Sequence, residues 1–403
     1  MAEPQILTLG IILMTASLVA IASRRLHVPY SVGLVLAGIV LALLPLRIDL
    51  PLSRDLIFSV FLPPLVFEAA LQLGWQRFRR ELPLTAVLAF AGVLVAGAFV
   101  AAGAHWALGW SWLGAGLFGV LIAATDPVSV IAAFREMRAE PRLALIVESE
   151  SLLNDGAAAV GFAVLAGLAA GSTPGVGAIA GSLLLTVFGG IACGAVVACA
   201  LLLVAGRTED HLVEITLTTI AAYGSFMLAE NLHMSGVLAT LAAGLVVGNL
   251  GWRGAISEGG RGHVLSFWAY AAFLANSFVF ILIGGHEASQ PLAAIGGAAL
   301  AAIGISLLGR AVAVYPLSLL FSRSELRISR DYQHVLFWGG LRGALALALA
   351  LALPPEIPER QEIIAVAFAV VAFSIFAQGL TMPWLIRRLG LIHHTGPGGR
   401  SEL

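Results

Sequence analysis

Seven ionisable residues lie inside long apolar stretches of this 403-residue sequence: Glu68, Asp126, Glu148, Glu150, Asp155, Arg310 and Arg342. A charge in such a stretch is costly, so each is a functional candidate by default. The run Ala-Ala-Thr-Asp-Pro-Val-Ser-Val at 123–130 puts a proline directly after Asp126. Pro127 has no N–H and interrupts a helical ladder, which frees carbonyls near Ala123, Ala124 and Thr125. Inside a membrane, freed carbonyls are tolerated only against protein or a polar cavity. With a carboxylate beside them they make a cation site. A proline kink with a locally capped Asp is the plainer alternative; an Asp in the kink itself favours the site.

A second run, Glu-Ser-Glu-Ser-Leu-Leu-Asn-Asp-Gly, spans 148–156. Ser151 and Asp155 share one helix face at i, i+4, and Glu150 and Asn154 share another about 100° away. Glu148 suits a membrane interface. Asp155 does not, because it lies 13 residues from Arg142, roughly 20 Å at about 1.5 Å per residue. Asp126 lies 9 residues from Arg135, roughly 13 Å by the same rise. Both acids therefore fall in the middle of a bilayer. In a third run, Trp-Gly-Gly-Leu-Arg-Gly-Ala at 338–344, glycines flank Arg342 and permit close helix contact or local unwinding. A buried Arg needs an acid or exposed carbonyls. Glu150 is the partner expected for Arg342. Arg310 either lines a cytoplasmic funnel or pairs with an acid, the structural pairing being favoured.

These residues need helical spans to hold them, and the composition provides the spans. Hydrophobic residues make up 59% and charged residues 11%, with 45 Gly and a mean hydropathy of +0.96. A soluble protein carries about 25% charged residues, so a soluble fold is excluded, as is disorder. The net charge of −1 excludes a nucleic-acid binder. The only two cysteines, Cys193 and Cys199, share one apolar run and read as packing residues rather than a disulfide. What remains is an all-α polytopic membrane protein. Thirteen apolar runs reach toward the about 20 residues that a span needs. The polar residues sit in spans 3 (55–73), 5 (112–134), 6 (143–168), 11 (292–320) and 12 (332–353).

All 22 basic side chains of the Lys/Arg class are Arg. Seventeen fall in alternate loops and the C-terminal tail, three (Arg47, Arg54, Arg360) on the opposite side, and two inside spans. By the positive-inside rule this puts the N-terminus outside and the C-terminus in the cytoplasm. The first span is not a cleaved signal peptide, since Arg24 and Arg25 follow it. Trp75, Trp252, Trp268 and Trp384 read as an interfacial belt, and Glu214 and Glu230 as interfacial acids. His334 reads as a satisfied interfacial histidine, and the tail pair His393–His394 lacks the further ligands a metal site needs.

Thr125-Asp126-Pro127, Glu150-Ser151-Leu152-Leu153-Asn154-Asp155-Gly156 and Gly340-Leu341-Arg342-Gly343-Ala344 together resemble the monovalent cation/proton antiporter family of the NhaP type, relatives of animal sodium/proton exchangers. Pro63-Pro64-Leu65-Val66-Phe67-Glu68 and Asn276-Ser277-Phe278 through Gly284 also fit, so the resemblance covers most of the chain. It implies about 13 transmembrane helices in inverted repeats, with spans 5 and 12 as unwound helices crossing at the ion site. It implies a homodimer in a prokaryotic cytoplasmic membrane. One transmembrane antiporter domain would cover 1–388, with a moving core near 83–168 and 292–388, a dimer scaffold near 1–80 and 177–284, and a short cytoplasmic tail at 389–403. The implied Na⁺ and proton site is Asp155, Asp126, Ser151 and the Thr125 carbonyl, with Glu68 near it through water. Asn154 resembles the subgroup expected to exchange one ion for one proton. Glu150 with Arg342 would be the structural ion pair.

The implied protein is a transporter, not an enzyme, with no cofactor beyond the transported Na⁺ and H⁺. Burial disfavours the charge of a carboxylate, so such a group holds a proton or a cation but not both, and competition couples the two fluxes. The sequence leaves K⁺/H⁺ exchange, or mixed Na⁺/K⁺/Li⁺ exchange, as the alternative. An intramembrane aspartyl protease would use Asp126 and Asp155 as a dyad, but Ser151, Arg342 and the unwound flanks suit an ion site better. A cation channel would show a repeated filter sequence, and none is present.

Overall fold

The computed structural model describes residues 2–392 apart from 27, 45–52, 54, 127–129, 132, 133, 135, 136, 138, 172–175, 207, 208 and 288–291. Pro127, Arg47, Arg54, Arg135, Arg138, Arg207, Arg400, His393 and His394 therefore lie outside the described residues. The described chain is helical almost throughout; the one β-bridge among these residues pairs Ala139 with Ile392. Nine of the described helices are long and apolar enough to cross a membrane, and Tyr30–Leu43, Leu56–Gln72 and Trp112–Ala123 are shorter apolar helices. Two shorter helices, Arg330–Trp338 and Ala344–Leu351, flank a further break.

The outer surface is what a bilayer requires. Met14, Leu18, Leu184, Phe188 and Leu203 all point outward. Contiguous apolar surface of this extent has no stable place in water, so the chain is a multi-pass membrane protein. Inside, helices approach closely where glycines meet. A methyl group added at Gly38 would lie 2.2 Å from the Ile281 carbonyl, and one at Gly284 would lie 2.1 Å from that of Val35. Small residues of this kind let membrane helices touch backbone to backbone.

Three features position the polar residues. The 29-residue helix Pro141–Ala169 runs unbroken through the Glu-Ser-Glu-Ser-Leu-Leu-Asn-Asp run, with proline in its first turn, where the missing N–H costs nothing. The helix Trp112–Ala123 stops at Ala123, and residues 124–126 are non-helical. Between Arg330–Trp338 and Ala344–Leu351, residues 339–343 are also non-helical. The two interruptions face each other, and the Asp126 N–H donates to the Leu341 carbonyl at 2.7 Å.

Trp268 and Glu214, expected at the interface, are interior residues. Trp268 is buried and donates from its indole N–H to the Thr218 hydroxyl at 3.0 Å, so it belongs to the interior. Glu214 is likewise fully buried, accepting from the Ser257 backbone N–H at 2.7 Å just before the helix Glu258–Glu287. Its carboxylate satisfies the positive end of that helix.

Candidate ion site

A cavity of about 690 Å³ opens beside the two interruptions. Four carboxylates (Glu68, Asp126, Glu148, Asp155) and one guanidinium (Arg24) line it, an imbalance that attracts cations. Thr125, Tyr30, Phe273 and Asn276 line it as well. Tyr30 stacks on Phe273 with ring centroids 5.5 Å apart, and its hydroxyl shares a 2.8 Å hydrogen bond with Ser277. Glu148 stands seven residues before Asp155 in one helix, two turns or about 10 Å along the axis. The cavity thus extends from Asp155 toward the Pro141 end of that helix.

Asp155 meets the cavity directly, and no hydrogen-bond donor among the described residues reaches its carboxylate. Asp126 meets it from the opposite interruption. Gly343 packs against that carboxylate so closely that an added methyl group would lie 2.2 Å from Asp126 Oδ2. Glu68 lies on the same cavity and accepts a hydrogen bond from Gln72.

Behind these acids Glu150, Ser151 and Asn154 form a buried polar layer that does not line the cavity and meets it only through Thr125. Asn154 Oδ1 accepts the Thr125 N–H at 3.0 Å, while Asn154 Nδ2 donates to Thr125 Oγ1 at 2.8 Å and to Glu150 Oε1 at 3.3 Å. The hydroxyls of Thr125 and Ser151 share a 2.9 Å hydrogen bond. Ser151 and Asn154 therefore hold Thr125 in place, satisfying a backbone group left over where the helix stops.

The expected pairing of Glu150 with Arg342 is not what forms. Glu150 pairs with Arg310, from Nη1 to Oε1 at 2.7 Å and from Nη2 to Oε2 at 3.0 Å. Arg310 also donates to the Leu336 carbonyl, at 3.2 Å from Nε and 3.0 Å from Nη2. Arg342 instead donates to the carbonyls of Ala123 and Ala124, at 2.9 and 3.1 Å. These carbonyls end a helix, where the dipole is negative and intrahelical partners run out. A guanidinium there needs no acid. The choice is enforced from behind: the Arg342 N–H is held by Ser374 Oγ at 2.8 Å.

Ser374 and Gln378 are site residues that the sequence reading missed. Ser374 donates to Gln378 Oε1 at 2.7 Å, and Gln378 Nε2 donates to the Trp338 carbonyl at 3.1 Å. Both belong to the π-helical turn Ser374–Gly379, a local loosening common at functional sites. Together they satisfy groups left open by the interruption at 339–343. Their signal was a Ser-x-x-x-Gln pair on one face of an otherwise apolar span.

A family model described as sodium/hydrogen exchanger, transmembrane, matches residues 12–388. The chain belongs to the sodium/hydrogen exchanger family. Within the family it is 38% identical over 394 residues to the Na⁺/H⁺ antiporter ApNhaP of Aphanothece halophytica, a match that covers 97% of this chain and 75% of that one. It is 32% identical over 391 residues to the Na⁺/H⁺ antiporter NhaH of Halobacillus dabanensis, over 94% of this chain and 96% of that one. The fold matches that of the sodium proton antiporter MjNhaP1 from Methanocaldococcus jannaschii at pH 8. The TM-score is 0.75 at 21% identity, over 96% of this chain and 100% of the other.

Proposed function

We propose that this exchanger-family protein moves Na⁺ one way and H⁺ the other across the membrane, the two competing for Asp155. The carrying observation is the pair Asp155 and Asp126, facing one acidic cavity from an intact helix and from an interrupted one. Relatives 34 to 38% identical to this chain over the matched residues are named Na⁺/H⁺ antiporters, which supports the same reaction here. Asp155 is the proton and ion carrier. Asp126 and the backbone at Thr125 complete the cage, Ser151 and Asn154 fix that backbone, and Glu68 stands at its edge. Glu150 is committed to its ion pair with Arg310, and Asn154 is a neutral amide. With Asp155 as the acid whose proton is exchanged and Asp126 keeping its charge through the cycle, one H⁺ moves for one Na⁺, an electroneutral exchange.

The Arg distribution supports an N-terminus outside and a C-terminus in the cytoplasm of a prokaryotic cytoplasmic membrane. In that orientation the cavity opens inward, because the Pro141 end of its helix is cytoplasmic. A homodimer with a moving core near 83–168 and 292–388 against a scaffold near 1–80 and 177–284 is the matching assembly. The two least buried long helices, Thr8–Leu26 and Ala180–Ala205, both belong to that scaffold.

The test is proteoliposomes carrying a preset pH gradient. Added Na⁺ should collapse the gradient, at a rate unchanged by an imposed membrane voltage. Li⁺ and K⁺ run in parallel set the selectivity. A gradient indifferent to Na⁺ but collapsed by K⁺ would replace the substrate, and voltage sensitivity would overturn the 1:1 cycle.

A further inference from the structure

The two half-helices that meet at the ion site, Trp112–Ala123 and Ala344–Leu351, have far ends as well as near ones, and the two far ends meet two adjacent residues. Ser111 precedes Trp112–Ala123 and accepts the Gly114 N–H at 3.2 Å. The Glu359 carboxylate closes over this end. Its Oε1 accepts the Ser111 N–H at 2.9 Å, and its Oε2 accepts the Ser111 hydroxyl at 3.0 Å. The next residue serves the other half-helix. Arg360 donates from Nη2 to the carbonyl of Leu351, the last residue of Ala344–Leu351, at 3.3 Å, and from Nε to that of Leu353 at 2.9 Å.

All four ends are thus matched in sign. A helix end is positive at its N-terminus and negative at its C-terminus. Trp112–Ala123 has Glu359 at its start and Arg342 at its finish. Ala344–Leu351 has Asp126 against Gly343 at its start and Arg360 at its finish. The half-helices pack against each other, and one dipeptide holds both outer ends. Nothing in the ion chemistry accounts for Glu359 or Arg360, which hold the ends of the half-helices away from Asp126. The position also admits little else: a methyl group at Gly114 would lie 2.9 Å from Glu359 Oε2.

We propose that Glu359 and Arg360 are positioning residues: adjacent opposite charges that dock the outer ends of the two half-helices to one another and so set the spacing of Asp126 and the Ala123–Thr125 backbone at the ion site. The inference rests on the exchange reaction proposed above. The state of Glu359 agrees with it. Burial pushes its carboxyl up, but the Ser111 N–H and hydroxyl outweigh this and hold it below its ordinary value, as a capping carboxylate should be.

The test compares full-length wild type with Glu359→Gln, Arg360→Gln and Arg360→Lys in proteoliposomes, reading the apparent KM for Na⁺ and the Vmax separately at one pH. Ser111→Ala is the milder companion, since it removes the hydroxyl bond and keeps the backbone one. Each Gln variant should raise KM by about 5-fold, the size of one charge at a helix end, with Vmax per folded protein little changed. Arg360→Lys should recover most of the loss, and Ser111→Ala should move KM the same way by less. A clamp that only aids folding would lower yield and Vmax together and leave KM alone. If Glu359→Gln does not fold, Ser111→Ala decides. Folded variants with wild-type KM overturn the proposal. A wild type without Na⁺-driven exchange overturns the reaction itself, which is a different and recognisable failure.

Discussion

Arg310 and Glu150 form a two-pronged ion pair, 2.7 and 3.0 Å long, between helices 160 residues apart in the chain. Both side chains are almost wholly buried. Removing one partner of such a pair leaves an uncompensated charge in the interior, at a cost on the order of 3–5 kcal/mol. Arg310→Ala should therefore lose folded yield or melt far lower in detergent. Arg342→Ala leaves only two helix-end carbonyls without their cap, about 1–3 kcal/mol, and should be the milder variant. Equal damage from both substitutions would contradict this division of roles.

The helix Pro141–Ala169 makes a sharper distinction between neighbours. Asp155 meets the cavity, while Asn154 faces the Thr125 backbone. Asp155→Asn is nearly isosteric and breaks no hydrogen bond among the described residues, so the protein should melt as wild type does and show no Na⁺-dependent proton movement. Asn154→Ala should do the reverse in part. It removes bonds to Thr125 and Glu150, lowering stability by about 1–3 kcal/mol while leaving residual exchange. Melting curves and dye-reported exchange on the same preparations separate the two. Exchange surviving in Asp155→Asn would sink the assignment of the carrier.

Much of this was legible from short stretches of sequence, and the reason is local. The membrane class follows from charge scarcity. Asp126 and Asp155 follow from their positions along helices and Glu68 from the family resemblance, whereas Glu148, expected at the membrane interface, lines the cavity too; the interruption at 339–343 falls on Gly339, Gly340 and Gly343. The partner of Glu150 was not legible. Arg310 and Arg342 are both buried arginines on distant helices, and nothing near either one states which reaches Glu150. The selection is made by Ser374, which pins the Arg342 backbone, and by carbonyls that exist only because the helix ends at Ala123. Glu359 and Arg360 were hidden for a similar reason. In sequence they are two charges beside prolines in a loop, and only the fold brings two helix ends to them.

Outside the spans, Glu359 gives a pH signature. Its carboxyl lies below its ordinary 4.5 because Ser111 hydrogen bonds outweigh burial. A group whose native value is lowered stabilises the fold above its unfolded value, and this is lost as pH falls through the native value. The melting temperature should therefore fall on acidification below about pH 4.5, and Glu359→Gln should flatten part of that fall while melting lower than wild type at neutral pH. Glu356→Gln in the same loop, where the side chain is exposed, is the matched control. Identical acid limbs for wild type and Glu359→Gln would rule out the Ser111 bonds as the cause.

Gly343 tests the crossing itself. It lies outside the helix, at the start of Ala344–Leu351, and an added methyl group would sit 2.2 Å from Asp126 Oδ2 and 2.4 Å from Asp126 Cβ. Contacts that short do not persist, and the neighbour is not a flexible tip: the Asp126 backbone is itself bonded to Leu341 at 2.7 Å. Gly343→Ala must displace either the carboxylate or the interruption. Its effect should fall on the ion, with a raised apparent KM for Na⁺ or no exchange at all, and it should cost about 1–3 kcal/mol of stability as an overpacked site. Gly304→Ala meets nothing within 4 Å and, in the interior of the Leu292–Leu319 helix, should be neutral or slightly stabilising. Wild-type Na⁺ dependence in Gly343→Ala would mean that Asp126 does not need its position against Gly343 to hold the cation.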